Sequence, residues 1–300
     1  MNPEIVIRRA ETIADYRACQ EAQRLAWGIT EENYVVPVAT MVGSQHHGGL
    51  VLGAYLPDGT AVGVSFSFLG KTDGRLCLYS QLTGVIPGYQ DQKIGRRLKT
   101  TQREIAREEQ IPCIAWAFDP LQAGNAHFNL ETLGAKVGRY IENMYGPRSD
   151  ALNRNSPTDR LIAVWETVGE VGRERHVVDS IEQLPPLIGS RQLREGEPPG
   201  EPGVLSAQRE LRPPGITQND LGRPSADRVS LEIPSDIKRL RAEAPEVAER
   251  WGFAVRQAFV AAFAAGYRGV GFVREAGRCY YVLDRGAGDS RPKGSAIHVT

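Results

Sequence analysis

No apolar run in this 300-residue sequence approaches the roughly 20 residues that a helix needs to span a bilayer. The N-terminal residues MNPEIVIRRAE lack the basic start, apolar stretch and small-residue cleavage site of a signal peptide. We therefore expect a protein of the cytoplasm that has no membrane partner.

Cysteine is also scarce, and the pattern of its four residues excludes two common uses. They are far apart and none forms a CxxC pair, so neither a disulfide framework nor a structural zinc site is predicted. Because three of them lie in strand-like runs, we expect small buried apolar side chains. The four are Cys19, Cys77, Cys113 and Cys279. His46 and His47 resemble a pair of metal ligands, but adjacent histidines without further ligands are typical of a loop, and no bound metal is predicted.

An excess of charge of one sign is missing as well, since 36 Lys and Arg residues balance 36 Asp and Glu residues. A formal net charge of zero gives no support to broad electrostatic binding of nucleic acid. What the sequence does have is 41% apolar residues, enough to build the core of one large or two ordinary domains.

The periodicity of the apolar residues predicts a mixed α/β domain over residues 1–168. A strand EIVIRRA comes first, followed by a helix capped by Thr12 and a second helix opened by Pro37. Period-two runs flank the hairpin turn PDG, and the strand RLCLYSQLTGVI leads into an amphipathic helix over 94–109. The strand CIAWAFD, a short helix ending at Gly134 and two strands complete the order β, α, α, β, β, β, α, β, α, β, β.

Proline and glycine cluster in residues 169–228, which we interpret as an irregular linker. Residues 229–300 resume regular structure as a small C-terminal β-α-β-β extension, with its helical part interrupted near Pro245 and a closing hairpin at EAG. We expect the extension to pack on the first domain or on a partner subunit. The wide apolar face of its helix would suit a homodimer.

A sharp strand-to-helix turn, GVIPGYQDQKIGRRLK, covers residues 84–99. The first N–H groups of a helix have no partner inside it and carry a partial positive charge, so such a turn can bind an anion. The predicted donors to a pyrophosphate are the amides of Lys93, Ile94, Gly95 and Arg96. Arg96, Arg97 and Lys99 add positive charge. The alternative is an ordinary turn whose glycine only eases helix packing; a P-loop and a GxGxxG motif are both absent.

The turn and the order of elements resemble those of the GNAT superfamily of acyl-CoA-dependent N-acyltransferases. In that family the motif Gln/Arg-x-x-Gly-x-Gly/Ala follows the fourth strand and binds the CoA pyrophosphate through main-chain amides. Gln90 and Gly95 match its first and last positions, whereas Lys93 stands at the usual middle glycine and must adopt a backbone conformation that glycine takes more easily. The resemblance implies a GNAT-like mixed sheet flanked by helices, with acetyl-CoA or another acyl-CoA as co-substrate. The residues that it implies at the pyrophosphate are Gln90, Asp91, Gln92, Lys93, Ile94, Gly95 and Arg96.

Further strings are similar to those of a bacterial subgroup of this superfamily. They are AFDPLQ after the fifth strand, YIENMYG followed by PTDRL, and LEIP and YYVL in the tail. The likeness implies that the C-terminal extension belongs with the acyltransferase half of the chain. Some members of the subgroup are thought to succinylate amino acids.

The resemblance also implies how the pantetheine arm of CoA is held. The fourth and fifth strands run parallel and then splay apart, and main-chain groups at Gly84 and Val85 bond the arm instead of a neighbouring strand. Asn125 either bonds the pantetheine or caps a helix over 125–134. The tyrosine that often acts as the general acid of the family is replaced here by Leu130.

The identity of the catalytic groups therefore stays open. Tyr140, Tyr145 or ordered water would protonate the leaving thiolate, although each tyrosine is equally consistent with a structural role. The fourth strand offers only Ser80 and Gln81, neither of which titrates usefully. The acidic and histidine residues in segments that border the expected cleft are Glu32, His46, His47, His127 and Glu142.

Two arginines are candidates for an acceptor carboxylate. Arg160 could bind such a group through two nitrogens, with Ser80 as a second substrate contact; the alternative is a surface residue beside Asp159. Arg256 has the same two interpretations.

The predicted function is transfer of an acetyl or succinyl group from CoA to the amine of a small molecule such as an amino acid. The alternative is a CoA-binding GNAT-like protein without transfer activity, a sensor or an assembly subunit, which Lys93 and Leu130 favour somewhat. A scaffold without a CoA site is a third hypothesis. The sequence leaves open the acyl chain, the acceptor and its stereochemistry, and the oligomeric state.

Overall fold

A computed structural model of the chain describes residues 4–146, 157–168, 181–188 and 226–286, without the side chains of residues 182 and 188. The chain divides into two compact units. The first comprises Met1–Trp116 and Val164–Gly169, and the second comprises Ala117–Ala163 and Glu170–Thr300. The boundaries between these units differ from the boundaries of the predicted domains, which cover residues 1–168, 169–228 and 229–300.

The elements of residues 4–168 follow one another in the predicted order. They are β1 (Val6–Arg9), α1 (Ile13–Trp27), α2 (Val38–His46), β2 (Leu50–Tyr55), β3 (Ala61–Thr72), β4 (Arg75–Val85), α3 (Ile94–Glu108), β5 (Cys113–Phe118), α4 (Ala123–His127), β6 (Lys136–Ile141) and β7 (Arg160–Glu166). A 3₁₀ turn (Glu32–Tyr34) precedes α2, and a π-helical turn (Phe128–Thr132) continues α4. The predicted mixed α/β class is confirmed.

The sheet of the first unit has the order β1-β2-β3-β4-β5-β7. The pairs from β1 to β4 are antiparallel, whereas β4 and β5 are parallel. On one face, α1 and α2 cover an apolar cluster that includes Tyr16, Cys19, Met41, Val51 and Phe66. On the other face α3 lies close to β3, since a Cβ added at Gly63 would come within 3.1 Å of Ile94 and 3.2 Å of Leu98. The unit is therefore a sheet with helices on both faces.

In the second unit the sheet order is β6-β10-β11-β9-β8. The later elements are β8 (Pro186–Ile188), β9 (Arg228–Ile233), α5 (Ile237–Glu243), α6 (Pro245–Ala264), β10 (Arg268–Glu275) and β11 (Arg278–Asp284). Helix α6 buries Trp251, Val255 and Phe259. The Phe259 ring makes an edge contact with Tyr281, at 5.0 Å between ring centres, and the Tyr281 hydroxyl donates to the Pro120 carbonyl at 2.7 Å.

The predicted β-α-β-β extension is observed in its described part, with the helix broken at Pro245, which opens α6. Strand β8 lies inside the segment predicted as an irregular linker, and it pairs in parallel with β9. The remainder of 169–225 and residues 287–300 lie outside the described residues. All four cysteines are free and buried, as predicted. Within the described ranges, no helix is both long and apolar enough to cross a membrane.

The first helix shows how a local pattern fixes one element of this fold. The Thr12 side chain accepts from the Asp15 amide at 3.1 Å, and the Asp15 carboxylate accepts from the Thr12 amide at 3.0 Å, which completes a capping box. The same carboxylate accepts from the Arg8 guanidinium at 2.6 Å. The Arg8 hydrogen bond therefore lowers the pKa of the nearly buried Asp15 carboxyl well below its usual range, against the opposing effect of burial.

We expect Asp15→Asn to lower the free energy of unfolding by about 2 kcal/mol at pH 7, because it removes charged hydrogen bonds at a helix start. The folded-state pKa is depressed, so this stabilisation is complete above the unfolded-state pKa of about 3.9 and is lost as the pH falls below it. Urea unfolding at pH 7 and pH 3 should therefore show a smaller difference from wild type at pH 3. Glu104→Gln is the control, because it removes a carboxylate at an exposed position on α3. If the free energies of unfolding of wild type and Asp15→Asn differed by the same amount at both pH values, the role given to the Asp15 charge would be wrong.

Candidate functional site

The parallel contact between β4 and β5 is short. Leu78 pairs with Ile114 and Tyr79 with Ala115, and the described residues of the two strands show no pair beyond these. Strand β4 nevertheless continues to Val85, bonded on its other edge to β3. From Ser80 onward, the β5-facing edge of β4 is therefore unpaired with β5, as the resemblance implied.

A β-bulge lies at the same place. The β3–β4 register runs from Ser67↔Ser80 to Phe66↔Leu82, so Gln81 is an extra residue without an opposite partner on β3. Bulges redirect side chains and are frequent next to active sites. Here the bulge puts Ser80 and Thr83 on the α3 face, where Thr83 shares a 2.9 Å hydrogen bond with Ser65.

The turn after β4 holds two non-glycine residues in the left-handed region. Asp91 has a φ of 64° and Lys93 a φ of 59°. The conformation expected of Lys93, in place of the family's middle glycine, is thus observed. Gln90, the first residue of the motif, donates from Nε2 to the Val85 carbonyl at 3.4 Å, which joins the turn to the end of β4.

Helix α3 begins without a side-chain cap at Lys93. Its first helical hydrogen bond runs from the Arg97 amide to the Lys93 carbonyl at 3.0 Å. The amides of Ile94, Gly95 and Arg96 precede this bond, so they are the donors that a helix start leaves without an intrahelical partner. The 15-residue helix adds its partial positive charge at this end.

Packing does not explain the glycine at position 95. A Cβ added there would meet only Val85, at 3.9 Å, which is an ordinary van der Waals contact. By contrast, a Cβ at Gly84 would overlap the Trp27 ring, so Gly84 is required by the packing of α1 on β4. Gly95 therefore leaves space above the helix start that nothing in the described residues fills.

The basic residues predicted near the turn differ in where they lie. Arg96 is exposed, and Arg97 is exposed but donates to the Ile5 carbonyl at 2.8 Å. Lys99 does not contribute surface charge, because it is only 4% exposed beneath the sheet. The expectation that Lys99 adds charge at the turn was wrong, since this side chain turns toward the sheet and not toward the helix start.

The second unit holds the predicted catalytic residues Tyr140 and Glu142. The Tyr140 hydroxyl donates to Asp159 at 2.7 Å, and the Arg256 guanidinium binds the same carboxylate at 2.8 and 2.9 Å. Arg256 also donates to Glu142 at 3.2 Å. Burial and the bond to Asp159 raise the pKa of Tyr140 far above its ordinary value. Arg256 is thus saturated by carboxylates of its own chain, which leaves little capacity for an acceptor carboxylate.

Tyr145 and Arg160 lie together in this unit, with the guanidinium carbon 5.2 Å from the centre of the Tyr145 ring. Arg160 also donates to the Asp159 carbonyl at 2.8 Å. Asn125 is an exposed residue within α4. Its interpretation as the cap of a helix over 125–134 was wrong, because α4 begins at Ala123 with Gln122 at the cap position and no side-chain cap bond.

Leu130, at the family's tyrosine position, is buried in the π-helical turn. His127 makes an edge contact with Phe272, with 6.5 Å between the ring centres. Within the ranges that the structure describes, no group of three or more His, Cys, Asp or Glu side chains could hold a metal ion.

No protein-family model matches the sequence, and no curated protein does. Solved structures do share part of the fold. The ribosomal-protein-S18-alanine N-acetyltransferase from Escherichia coli is 18% identical, with 56% of this chain and 97% of that chain covered at a TM-score of 0.44. The yncA protein from Salmonella typhimurium, solved with its cofactor acetyl-CoA, is 18% identical over 56% and 96% of the two chains at a TM-score of 0.46. An acetyltransferase of the GNAT family from Staphylococcus aureus is 13% identical over 55% and 100% at a TM-score of 0.40.

These likenesses are too distant to assign a family, so the function of this chain has to follow from its own geometry.

The strain at Lys93 can be measured directly. We expect Lys93→Gly to raise the free energy of unfolding by about 1 kcal/mol, because a left-handed conformation costs a residue with a Cβ roughly that amount. Lys93→Ala removes the charge but keeps the Cβ, so it should give no such gain. Thermal and urea unfolding of both variants check this, and equal stabilities of the alanine and glycine variants would argue against backbone strain.

Proposed function

We propose that this chain is an acyl-CoA-dependent N-acyltransferase of the GNAT type. It moves an acetyl or succinyl group from CoA to the amine of a small molecule such as an amino acid. The observation that carries the proposal is a single juxtaposition in the first unit. The unpaired edge of β4 runs directly into an uncapped helix start whose glycine leaves room for a ligand.

The helix start suits the diphosphate of CoA. The amides of Ile94, Gly95 and Arg96 offer adjacent donors, and the helix dipole favours a negative charge in front of them. The hydrogen at Gly95 lets a phosphate oxygen come closer to the backbone than a methyl group would. Asp91 and Lys93, in the turn that leads into α3, have strained left-handed backbone conformations. Strain of this kind is typical of turns that bind a ligand.

The β4 edge suits the amide-bearing pantetheine arm. Main-chain groups from Ser80 to Val85 that β5 does not engage can bond an extended ligand as a strand would. An arm that starts at the α3 terminus and follows this edge brings its thioester to the end where β4 and β5 last pair. Gly84 and Val85 lie on this path and stay our candidates for contact with the arm.

Transfer at that point requires only positioning and stabilisation of charge. A neutral amine attacks the thioester carbonyl, and the tetrahedral oxyanion needs a donor that is already aimed at it. A main-chain amide beside the bulged Gln81 is our candidate for that donor. Among side chains, Arg160 and Ser80 stay candidates for substrate contact, Asn125 for the pantetheine, and Tyr140, Glu142 and Tyr145 for proton transfer.

A second function is favoured by specific residues. Leu130 takes the place of the tyrosine that usually acts as the acid. The Tyr140 hydroxyl already donates its proton in a hydrogen bond to Asp159. A protein that binds CoA without transferring an acyl group, as a sensor or an assembly subunit, would be consistent with both features.

A thermal-shift screen followed by a thiol-release assay tests the proposal. CoA, acetyl-CoA and succinyl-CoA should each raise the melting temperature of the full chain. Release of free thiol should then depend on one member of a panel of D- and L-amino acids and other small amines. Tight CoA binding with no amine-dependent thiol release would favour the second function. Equal melting temperatures with and without CoA would refute both.

The role of Gly95 gives a sharper test. We expect Gly95→Ala to weaken CoA binding about tenfold or more, which is about 1.4 kcal/mol, because the methyl group occupies the approach to the diphosphate. Folding stability should not fall, since the new Cβ meets only Val85 at 3.9 Å. Isothermal titration with CoA and thermal unfolding measure the two quantities.

Gly252→Ala on α6 is the matched control, because its added Cβ would also meet a single neighbour, Leu121, at 3.9 Å. It should leave CoA affinity unchanged. An unchanged affinity in Gly95→Ala would show that no diphosphate binds at this helix start.

A further inference from the structure

A buried polar cluster lies between α3 and the sheet, and Lys99 is its centre. The Lys99 ammonium donates to the Ser80 hydroxyl at 3.0 Å and to the Gln102 side-chain carbonyl at 3.0 Å, and it lies 3.9 Å from the centre of the Trp116 ring. An ammonium group has three N–H donors. Two hydrogen-bond acceptors and one aromatic face can engage these three donors when the side chain is protonated.

The position of this cluster in the sheet is specific. Tyr79 and Ala115 form the last β4–β5 pair, and Ser80 and Trp116 are the residues that follow them on the two strands. These are the two residues that Lys99 contacts across from α3. The ammonium group therefore lies at the point where β4 and β5 part, on the α3 face.

The other members of the cluster fix its orientation. The Gln102 amide nitrogen donates to Ser67 at 2.6 Å and to Ser80 at 3.2 Å, which leaves its carbonyl for Lys99. The Ser80 hydroxyl is in contact with both α3 side chains. Lys99 can therefore exchange a proton with Ser80 without moving.

Among the residues that the structure describes, no charged group acts on the Lys99 nitrogen to favour its protonated form. The neighbours from β3, β4, β5 and α3 are hydroxyls, an amide and an indole, and burial alone lowers the pKa of Lys99 to about 7. By strand alternation, Cys77, Tyr79 and Cys113 lie on the opposite face of the sheet. Two charged residues lie about one turn from Lys99 on α3. Arg96 is exposed to solvent, and Arg103 donates to the Glu166 carbonyl.

We propose that Lys99, acting through the Ser80 hydroxyl, supplies the proton that the CoA sulfur takes up when the acyl group leaves it. The inference rests on the proposed function, because it requires the thioester to lie where β4 and β5 part. It gives the protein a proton donor at the centre of the site, although Leu130 replaces the family's tyrosine acid.

The amine nitrogen forms a bond to the acyl carbon, and the C–S bond breaks with its electron pair on sulfur. Sulfur takes the Ser80 hydroxyl proton while the Ser80 oxygen takes a proton from Lys99. The nitrogen that has become an amide releases one proton to water, and Lys99 recovers one from water. The products are the amide and the free CoA thiol, whose pKa is near that of cysteine, about 8.5. A buried lysine whose pKa is lowered by desolvation is a better proton donor to such a thiolate than a lysine in water.

The competing explanation is that Lys99 has only a structural role. The free-energy cost of burying its amine argues against this explanation. An apolar side chain at position 99 would pack between α3 and the sheet without the cost of desolvating an amine. The test therefore needs a measurement that packing alone would not change, and the pH dependence of turnover is that measurement.

The experiment compares Lys99→Met and Ser80→Ala with wild type, using an acceptor amine that stays neutral over the pH range studied. Wild-type kcat should fall as the pH rises above about 7, because the donor must be protonated. Both variants should lose about 100-fold in kcat, the lower end of the range for a general acid, and the fall of kcat at alkaline pH should disappear. Ser80→Thr keeps a hydroxyl and should recover most of the loss seen in Ser80→Ala.

Lys136→Met on β6 is the matched control, because it makes the same change at an exposed lysine and should alter neither kcat nor its pH dependence. CoA affinity measured by titration should stay within about threefold of wild type in the Lys99 and Ser80 variants, which is about 0.7 kcal/mol. A Lys99→Met enzyme that keeps the wild-type kcat and pH profile would overturn the relay and leave the transferase intact. Wild-type protein that binds no CoA, or that acylates no amine, would overturn the proposed transferase and the relay together.

Discussion

Two parallel strands that pair at only two positions place the main constraint on the first unit. Where β4 continues beyond Tyr79, its β5-facing main-chain groups have lost the neighbour that a sheet would normally give them. Such groups need water or a ligand as a substitute, because a buried donor or acceptor without a partner is costly. The bulge at Gln81, the turn that follows and the start of α3 are all arranged along this one edge.

The turn after β4 carries a cost in local stability, which the proposed CoA site would explain. Lys93 and Asp91 adopt a conformation that glycine would take at lower cost, and α3 begins without a cap that many residues could provide. Features of this kind persist where they shape a site. On the same helix, Lys99 and Gln102 occupy positions that an apolar stripe would normally fill, so polar groups line the sheet where β4 and β5 part.

Much of the fold could be predicted because it depends on periodicity. The element order through β7 followed from alternating and helical patterns, and the break at Pro245 from the chemistry of one residue. Strand β8 could not be predicted, because a strand of three residues that begins with Pro186 carries no period and depends on β9 for its hydrogen bonds. The sequence predicts that Lys99 adds surface charge, because lysine is usually exposed. Its position on the buried face of α3 indicates the opposite. Its spacing to Gln102 and Ala106, three and seven residues, was the pattern that could have shown a buried stripe.

A crystal structure of the protein with CoA is the most direct test of the central claim. We expect diphosphate oxygens about 2.7–3.2 Å from the amide nitrogens of Ile94, Gly95 and Arg96, with the sulfur near Ser80. A CoA molecule bound elsewhere, with the Lys93 side chain covering an empty helix start, would contradict it.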